Sequence, residues 1–284
     1  MANRKYLPSF RRRQLGQQLR ELRQAAGISM PEAGELLGVT HQTVSNMELG
    51  VHRVRKAELG LLLDRYRAAP QARDRLEVIR ADADSRGWWL RYGGGAPDWL
   101  RPGLDLESAA AAVTIVEPNL IPAPLRTERY SRAVYSAAGS AVPPAEVERA
   151  VEVDAERSRR LVEEPRPTPT LVILGEAALH QAAGGQLIEG QLHRLLTLAD
   201  SAMVQLRVLP FAAGAHAAGA GGFTLFDFGQ PELPSQVFVP LPAGGVVVDD
   251  AEDVARYAAI VAALREAALD PADSSKLVRS QLDQ

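Results

Sequence analysis

Residues 27–50, Gly27-Ile-Ser-Met-Pro-Glu-Ala-Gly-Glu-Leu-Leu-Gly-Val-Thr-His-Gln-Thr-Val-Ser-Asn-Met-Glu-Leu-Gly50, leave little choice beyond two short helices joined by a tight turn. Ser29 is a good N-cap, and Pro31 is tolerated in a first helical turn, where its missing N–H has no partner to lose. Gly38 suits the left-handed residue that ends a helix, Thr40 can cap the next one, and Gly50 stops it. The second helix, over His41 to Leu49, puts Val44 and Met47 on one face and His41, Gln42, Thr43, Ser45 and Asn46 on another. Ala33, Leu36 and Leu37, with Leu15, Leu19 and Leu22 upstream and Leu59, Leu62 and Leu63 downstream, recur at spacings of three and four and supply a core. A bundle of four or five helices over residues 1–70 follows.

The face rich in hydrogen-bonding groups is the kind that enters a major groove. The run from Leu19-Arg-Glu-Leu-Arg23 through Ala26-Gly27 to Val44-Ser-Asn-Met-Glu-Leu-Gly50 resembles the Xre, or phage-repressor-like, helix-turn-helix domain. That resemblance implies base reading by His41, Gln42 and Asn46. It assigns phosphate contacts to Lys56, Arg53, Arg12 and Arg13, and a structural ion pair to Arg23 and Glu48. Thr43 and Ser45 either support the reading helix or are merely solvated. Two positions depart from the pattern: Met30 stands where the family often has a phosphate-binding amide, and Ala33 where it often has leucine.

Charge is distributed in the same sense. The chain carries a formal −3, yet residues 1–67 hold twelve Lys or Arg against six Asp or Glu, and the remainder twenty against twenty-nine. A basic lobe of +6 on a body of −9 suits phosphate binding at one end, with counterion release making affinity fall as salt rises.

With 284 residues, 46% of them hydrophobic, the chain can bury a sizeable core and is expected to form two domains. The absence of cysteine excludes disulfides, thiolate metal sites and thiol redox sensing. No apolar run approaches a membrane span and no leader follows the N-terminal charges, so a cytoplasmic protein is expected. Three lysines against twenty-nine arginines, with abundant alanine, suggest a bacterium of high genomic G+C.

Gln71 to Asp84 carries Leu76, Ile79 and Ala83 at helical spacing and reads as the start of a connector over 71–105, broken at Gly93-Gly94-Gly95 and followed by a loop over 96–105. Trp88, Trp89 and Trp99, all the tryptophans of the chain, cluster there. They either pack the connector against the body or form a partner or ligand surface, since tryptophans are favoured interface anchors.

From residue 106 onward the pattern alternates. Strands are expected at 111–116, 170–175, 204–209, 223–228, 236–241 and 245–248. Helices are expected at 126–138, 144–162, 186–202 (Leu187, Leu192, Leu195, Leu196 and Ala199 inward) and 249–267. The strands at 170 and 204, joined through a helix, should be parallel. The fold class is therefore α+β overall: an all-α helix-turn-helix bundle, then a mixed α/β domain, residues 106–284, with one sheet flanked by helices.

Eight short motifs occur in order over residues 88–280: Trp89-Leu-Arg-Tyr92, Leu106-Glu-Ser-Ala-Ala110, Ile121-Pro-Ala-Pro-Leu-Arg-Thr-Glu-Arg-Tyr130, Leu174-Gly-Glu-Ala-Ala-Leu179, Gln191-Leu-His-Arg-Leu195, Val208-Leu-Pro-Phe211, Gly222-Phe-Thr-Leu225 and Pro271-Ala-Asp-Ser-Ser-Lys-Leu277. Together they resemble the C-terminal domain of WhiJ-type, antitoxin-like regulators of actinobacteria. That resemblance implies a transcriptional regulator; a repressor is expected, acting as a homodimer on a two-fold related double-stranded operator, because one small module reads too few base pairs for high affinity. The resemblance also implies control through residues 106–284 by a small partner protein encoded nearby or by a small-molecule ligand. The alternative is an antitoxin-type interaction protein that neutralises the small partner and binds DNA only for autoregulation.

His180, His193 and His216, with Glu176, Asp227, Asp249 and Asp250, are the residue types of hydrolytic sites but fall at no recognisable spacing. No enzyme, metal or cofactor is therefore expected. Gly214 to Gly222 reads as a mobile loop rather than an anion cradle, and His216, its one polar side chain, is the candidate ligand or partner contact there.

Overall fold

The computed structural model describes residues 9–84, 87–137, 143–163, 167–181, 185–230, 233–241 and 244–283. The chain divides into two compact units, Met1–Trp88 and Trp89–Gln284.

The first unit is all helix: α1 (Phe10–Ala25), α2 (Met30–Leu37), α3 (His41–Glu48), α4 (Lys56–Arg65) and α5 (Pro70–Asp84). Its core gathers Leu15 and Leu19 from α1, Ala33 from α2, Val44 and Met47 from α3, Leu59, Leu62 and Leu63 from α4, and Leu76 and Ile79 from α5. Two expectations change here. The helix read as the start of a connector packs as α5 into this core, because periodicity marks an apolar face without naming what covers it. Leu36, expected inside, is exposed: the buried arc of α2 runs through Ala33 and Gly34, with Leu37 packed beside it, and Leu36 falls past its edge.

Gln18 of α1 is buried with neither amide atom hydrogen-bonded among the described residues. An unmet buried amide costs about 1–3 kcal/mol. Gln18→Leu is therefore expected to raise the denaturant midpoint by an amount of that order, and a lowered midpoint would show that the amide has a partner in solution.

A 3₁₀ segment, Trp88–Gly95, starts on the last residue of the first unit and runs into the second, interrupted at Gly93, whose backbone is left-handed (φ 56°). The loop expected over 96–105 is shorter than read. Arg101–Ala109 is a helix, α6, with Pro102 in its first turn and Leu104 and Leu106 fully buried. Next come β1 (Ala112–Glu117), α7 (Glu128–Ser136), α8 (Pro144–Ser158), β2 (Thr170–Gly175), α9 (Ala177–His180), α10 (Gly185–Ala199), β3 (Val204–Leu209), β4 (Phe223–Asp227), β5 (Gln236–Leu241), β6 (Gly244–Val248), α11 (Ala251–Ala267) and α12 (Pro271–Ser280). Ala138 and the side chain of Leu187 lie outside the described residues.

One mixed sheet runs in the order β3-β2-β1-β4-β5-β6. β1, β2 and β3 are parallel, and β4, β5 and β6 continue antiparallel from β1. At the β3 edge, Ser274 of α12 accepts a hydrogen bond from the Val208 N–H (2.9 Å), and the Leu269 N–H donates to the Val208 carbonyl (2.9 Å). Backbone groups that would otherwise invite another strand are thereby satisfied. α12 was not anticipated as a helix, although Asp270 caps it and Pro271 opens it.

The motif Ile121 to Tyr130 turns inward. Arg126 Nε donates to the Ile121 carbonyl (2.6 Å), the Tyr130 hydroxyl accepts from the Ile121 N–H (3.3 Å), and Thr127 caps α7. Fully buried Gln191 accepts from the Thr127 N–H (2.7 Å) and donates to the Leu125 carbonyl (2.8 Å). Asp154 takes the hydroxyls of Ser131 (2.8 Å) and Tyr135 (3.0 Å). Burial, reinforced by the Asp154 charge, holds the Tyr135 phenol well above its ordinary value. This motif is accounted for by folding.

Glu117, which ends β1, is pushed above the usual carboxylate range by burial, against the opposing backbone N–H groups of Asn119 and Leu120. An acid raised on folding favours the folded state while protonated. That contribution is complete below the ordinary value of 4.5 and is lost as pH rises through the raised one. Glu117→Gln is expected to raise the melting temperature near neutral pH, with the gain vanishing in acid. A loss near neutral pH would mean that the two backbone bonds outweigh desolvation.

Candidate DNA-binding surface

α2 and α3 owe their geometry to the residues at their ends. Ser29 caps α2 in a reciprocal box with Glu32: the Ser29 N–H donates to the carboxylate (2.8 Å) and the Glu32 N–H to the hydroxyl (3.3 Å). Gly38 ends α2 in the left-handed region (φ 67°) and Thr40 caps α3 through the Thr43 N–H (3.2 Å). The helices lie so close that a β-carbon on Gly34 would stand 2.7 Å from the Val39 carbonyl oxygen. Likewise, one on Gly16 of α1 would stand 2.3 Å from the Glu48 carbonyl oxygen, so α1 meets the end of α3 backbone to backbone.

Beneath that contact lies a buried ion pair. Arg23 at the end of α1 grips Glu48 of α3 through Nε (2.5 Å) and a second guanidinium nitrogen (3.0 Å), and donates to the Ile28 carbonyl (2.8 Å). The Glu48 hydrogen bonds raise the Arg23 pKa further above its ordinary value despite burial. Tyr66, buried close by, is pushed up to about 12 by burial first and by the Glu48 charge second. The pair ties the first and third helices and fixes the tilt of α3.

With Val44 and Met47 buried, the opposite face of α3 is open. His41 and Gln42 are exposed, and Thr43, Ser45 and Asn46 are half-buried. The Gln42 amide donates to the Asn46 side-chain oxygen (3.3 Å), so the two amides stand together one turn apart. Arg12 and Arg53 line one narrow cleft with His52 and Arg80. Arg13 is half-buried where α1 meets Gly50. Lys56 is exposed, 3.7 Å from Glu77, an ion pair too solvated to hold it firmly. The sequence reading missed Arg80, which lies on α5, and Gly16, whose signal was a small residue amid the leucines of α1.

The remaining candidates lie elsewhere. Trp88 is buried, and Trp89 and Trp99 are half-buried. His216 lines a cleft in the second unit with Glu176. Asp250 caps α11, Asp227 accepts the Gly229 N–H (2.6 Å), and His193 is exposed on α10. Among the described residues no group of three His, Asp or Glu could hold a metal ion, and no helix is long and apolar enough to cross a membrane.

Comparison with known families agrees with this division. Residues 14–76 match the model of a helix-turn-helix domain. Residues 100–280, more than half of the chain, match the model of a domain of unknown function, DUF5753. The chain belongs to the DUF5753 family. No curated protein and no solved structure matches it. This DUF5753 protein thus joins its family domain, which contains the mixed sheet, to a helix-turn-helix unit that supports a role as a DNA-binding regulator.

Proposed function

We propose that this protein is a sequence-specific transcriptional repressor of the Xre type, antitoxin-like and cytoplasmic. It acts as a homodimer on a two-fold related operator and is controlled through residues 106–284 by a small partner protein or ligand, not by catalysis. The observation that carries the reading is the open polar face of α3, with Gln42 and Asn46 paired at 3.3 Å on the basic unit. A side-chain amide can pair bidentately with adenine, and its neighbour holds it ready. One small module reads too few base pairs for high affinity. Two modules about 34 Å apart, one helical turn, would supply it. Control by a partner requires that the partner bind one arrangement of the two heads better than the other. The likeness of residues 88–280 to WhiJ-type regulators supports that part of the reading.

Gln42→Ala is expected to cost about 1–3 kcal/mol on the operator and to relax preference at one base position, whereas Lys56→Ala should weaken all sequences alike and flatten the salt slope by about one. Fluorescence anisotropy with operator and random duplexes across a salt series reads both. Equal losses on the two duplexes for Gln42→Ala would remove it from base reading.

A further inference from the structure

The cleft that His216 lines lies where α/β sheets most often bind small molecules, outside the carboxyl ends of parallel strands. Pro118 follows β1, Glu176 follows β2 and Pro210 follows β3, and all three line it. The sheet order places β2 and β3 on one side of β1 and β4 on the other, so the connection from β3 to β4 must cross the end of β1. Residues 211–219 of that connection complete the cleft. Its floor is tight: a β-carbon on Gly175 would stand 2.1 Å from the Pro118 carbonyl oxygen. The volume is about 220 Å³. That is smaller than the ~300–1,000 Å³ of drug-sized sites, so the occupant is a small molecule of modest size.

The chemistry of the walls narrows the class. Glu176 is held in place, accepting the Phe211 N–H (2.6 Å) on one oxygen, with His180 Nε2 3.8 Å from the other. A carboxylate has about four acceptor sites, so it retains capacity for another donor. The His180 ring stacks on Phe211 (5.7 Å between centroids, 24° between planes), and Phe211 is nonetheless 64% exposed, presenting an aromatic surface beside the carboxylate. The Nδ1 of His216 is shut off from solvent and has no hydrogen-bond partner among the described residues. No lysine or arginine lines the cleft, and Glu117 stands one residue before Pro118. A carboxylate with acceptor capacity to spare, and no lysine or arginine in the lining to attract a negative group, favours a cationic donor over an anion, and the exposed Phe211 ring offers a surface for an apolar part. The described residues offer no three ligands for a metal.

We propose that this cleft binds a small organic amine, its ammonium group on Glu176 and its flat apolar part against Phe211. In the regulator reading the amine is the signal received by the second unit, but occupancy of the cleft does not depend on DNA.

The test is calorimetric titration of the full chain, without DNA, using phenethylamine, phenylacetate and 2-phenylethanol, which share a ring and differ in charge. Phenethylamine alone should bind. Glu176→Gln, which keeps an acceptor for the Phe211 N–H, should weaken it by about tenfold or more, the loss expected of one charge-assisted hydrogen bond. Phe211→Ala, at a side chain 64% exposed and outside the buried core, should weaken it as well. No binding of phenethylamine, equal binding of the three compounds, or wild-type affinity in both variants would overturn the proposal and leave the reading of α3 untouched.

Discussion

Glu48→Ala should unfold the helix-turn-helix unit at a denaturant concentration far below that needed for the wild type, with a loss of about 3–5 kcal/mol, because it leaves the Arg23 guanidinium buried without its counter-charge. Both side chains are less than a tenth exposed, so water cannot take the place of the lost carboxylate without opening the contact between α1 and α3. A typical domain has only about 5–15 kcal/mol in total, so the effect is large enough to register as lost DNA binding at moderate temperature. Replacing both partners, as in Arg23→Met with Glu48→Leu, should recover most of the stability, since the penalty comes from the orphaned charge more than from the missing bond. Urea unfolding of the wild type and the two variants decides it. A double variant no better than Glu48→Ala would mean that the pair's contribution to helix placement outweighs its desolvation.

The second unit contains a comparable liability. Arg157 of α8 grips Glu107 of α6 through two bonds (3.1 and 2.7 Å), both groups being largely buried. Burial alone would lower the Arg157 pKa, but Glu107 more than offsets it and the guanidinium stays charged. Arg157→Met is expected to cost about 3–5 kcal/mol by stranding Glu107, and Glu107→Leu in the same chain to restore most of it. Thermal unfolding of the full chain should show this loss in one transition only if the two units unfold separately. A loss below 1 kcal/mol would show that Glu107 finds solvent or another donor.

These two ion pairs also mark what the sequence does and does not reveal. Arg23 and Glu48 could be paired in advance only because the resemblance to the Xre domain implies that pair. Nothing comparable linked Arg157 to Glu107, fifty residues apart on helices whose crossing only the folded sheet sets. α2 and α3 were legible from their punctuation, Ser29, Gly38 and Thr40, since caps and a left-handed glycine act within a few residues. β2, α10 and β3 were legible from apolar runs flanking an amphipathic one. The errors fell where local signals compete or stop short. Pro102 and Gly103 read as loop residues but sit in the first turn of α6, where a proline costs little. Leu76 and Ile79 announced a helix without naming α1 and α4 as its neighbours. The cleft at the strand ends was reduced in sequence to a single histidine. Glu176, Phe211 and His216 are brought together only by a sheet order that no periodicity encodes.

The central claim, that the open face of α3 reads a particular DNA sequence, is tested most directly by binding the full chain to the DNA upstream of its own gene and to a scrambled duplex of the same composition. Two salt concentrations should be used, with and without the product of any adjacent small gene. Tighter binding to the upstream DNA is expected at both concentrations, weakening with salt on both duplexes and altered by the partner. Equal affinity for the two duplexes under every condition would contradict the claim.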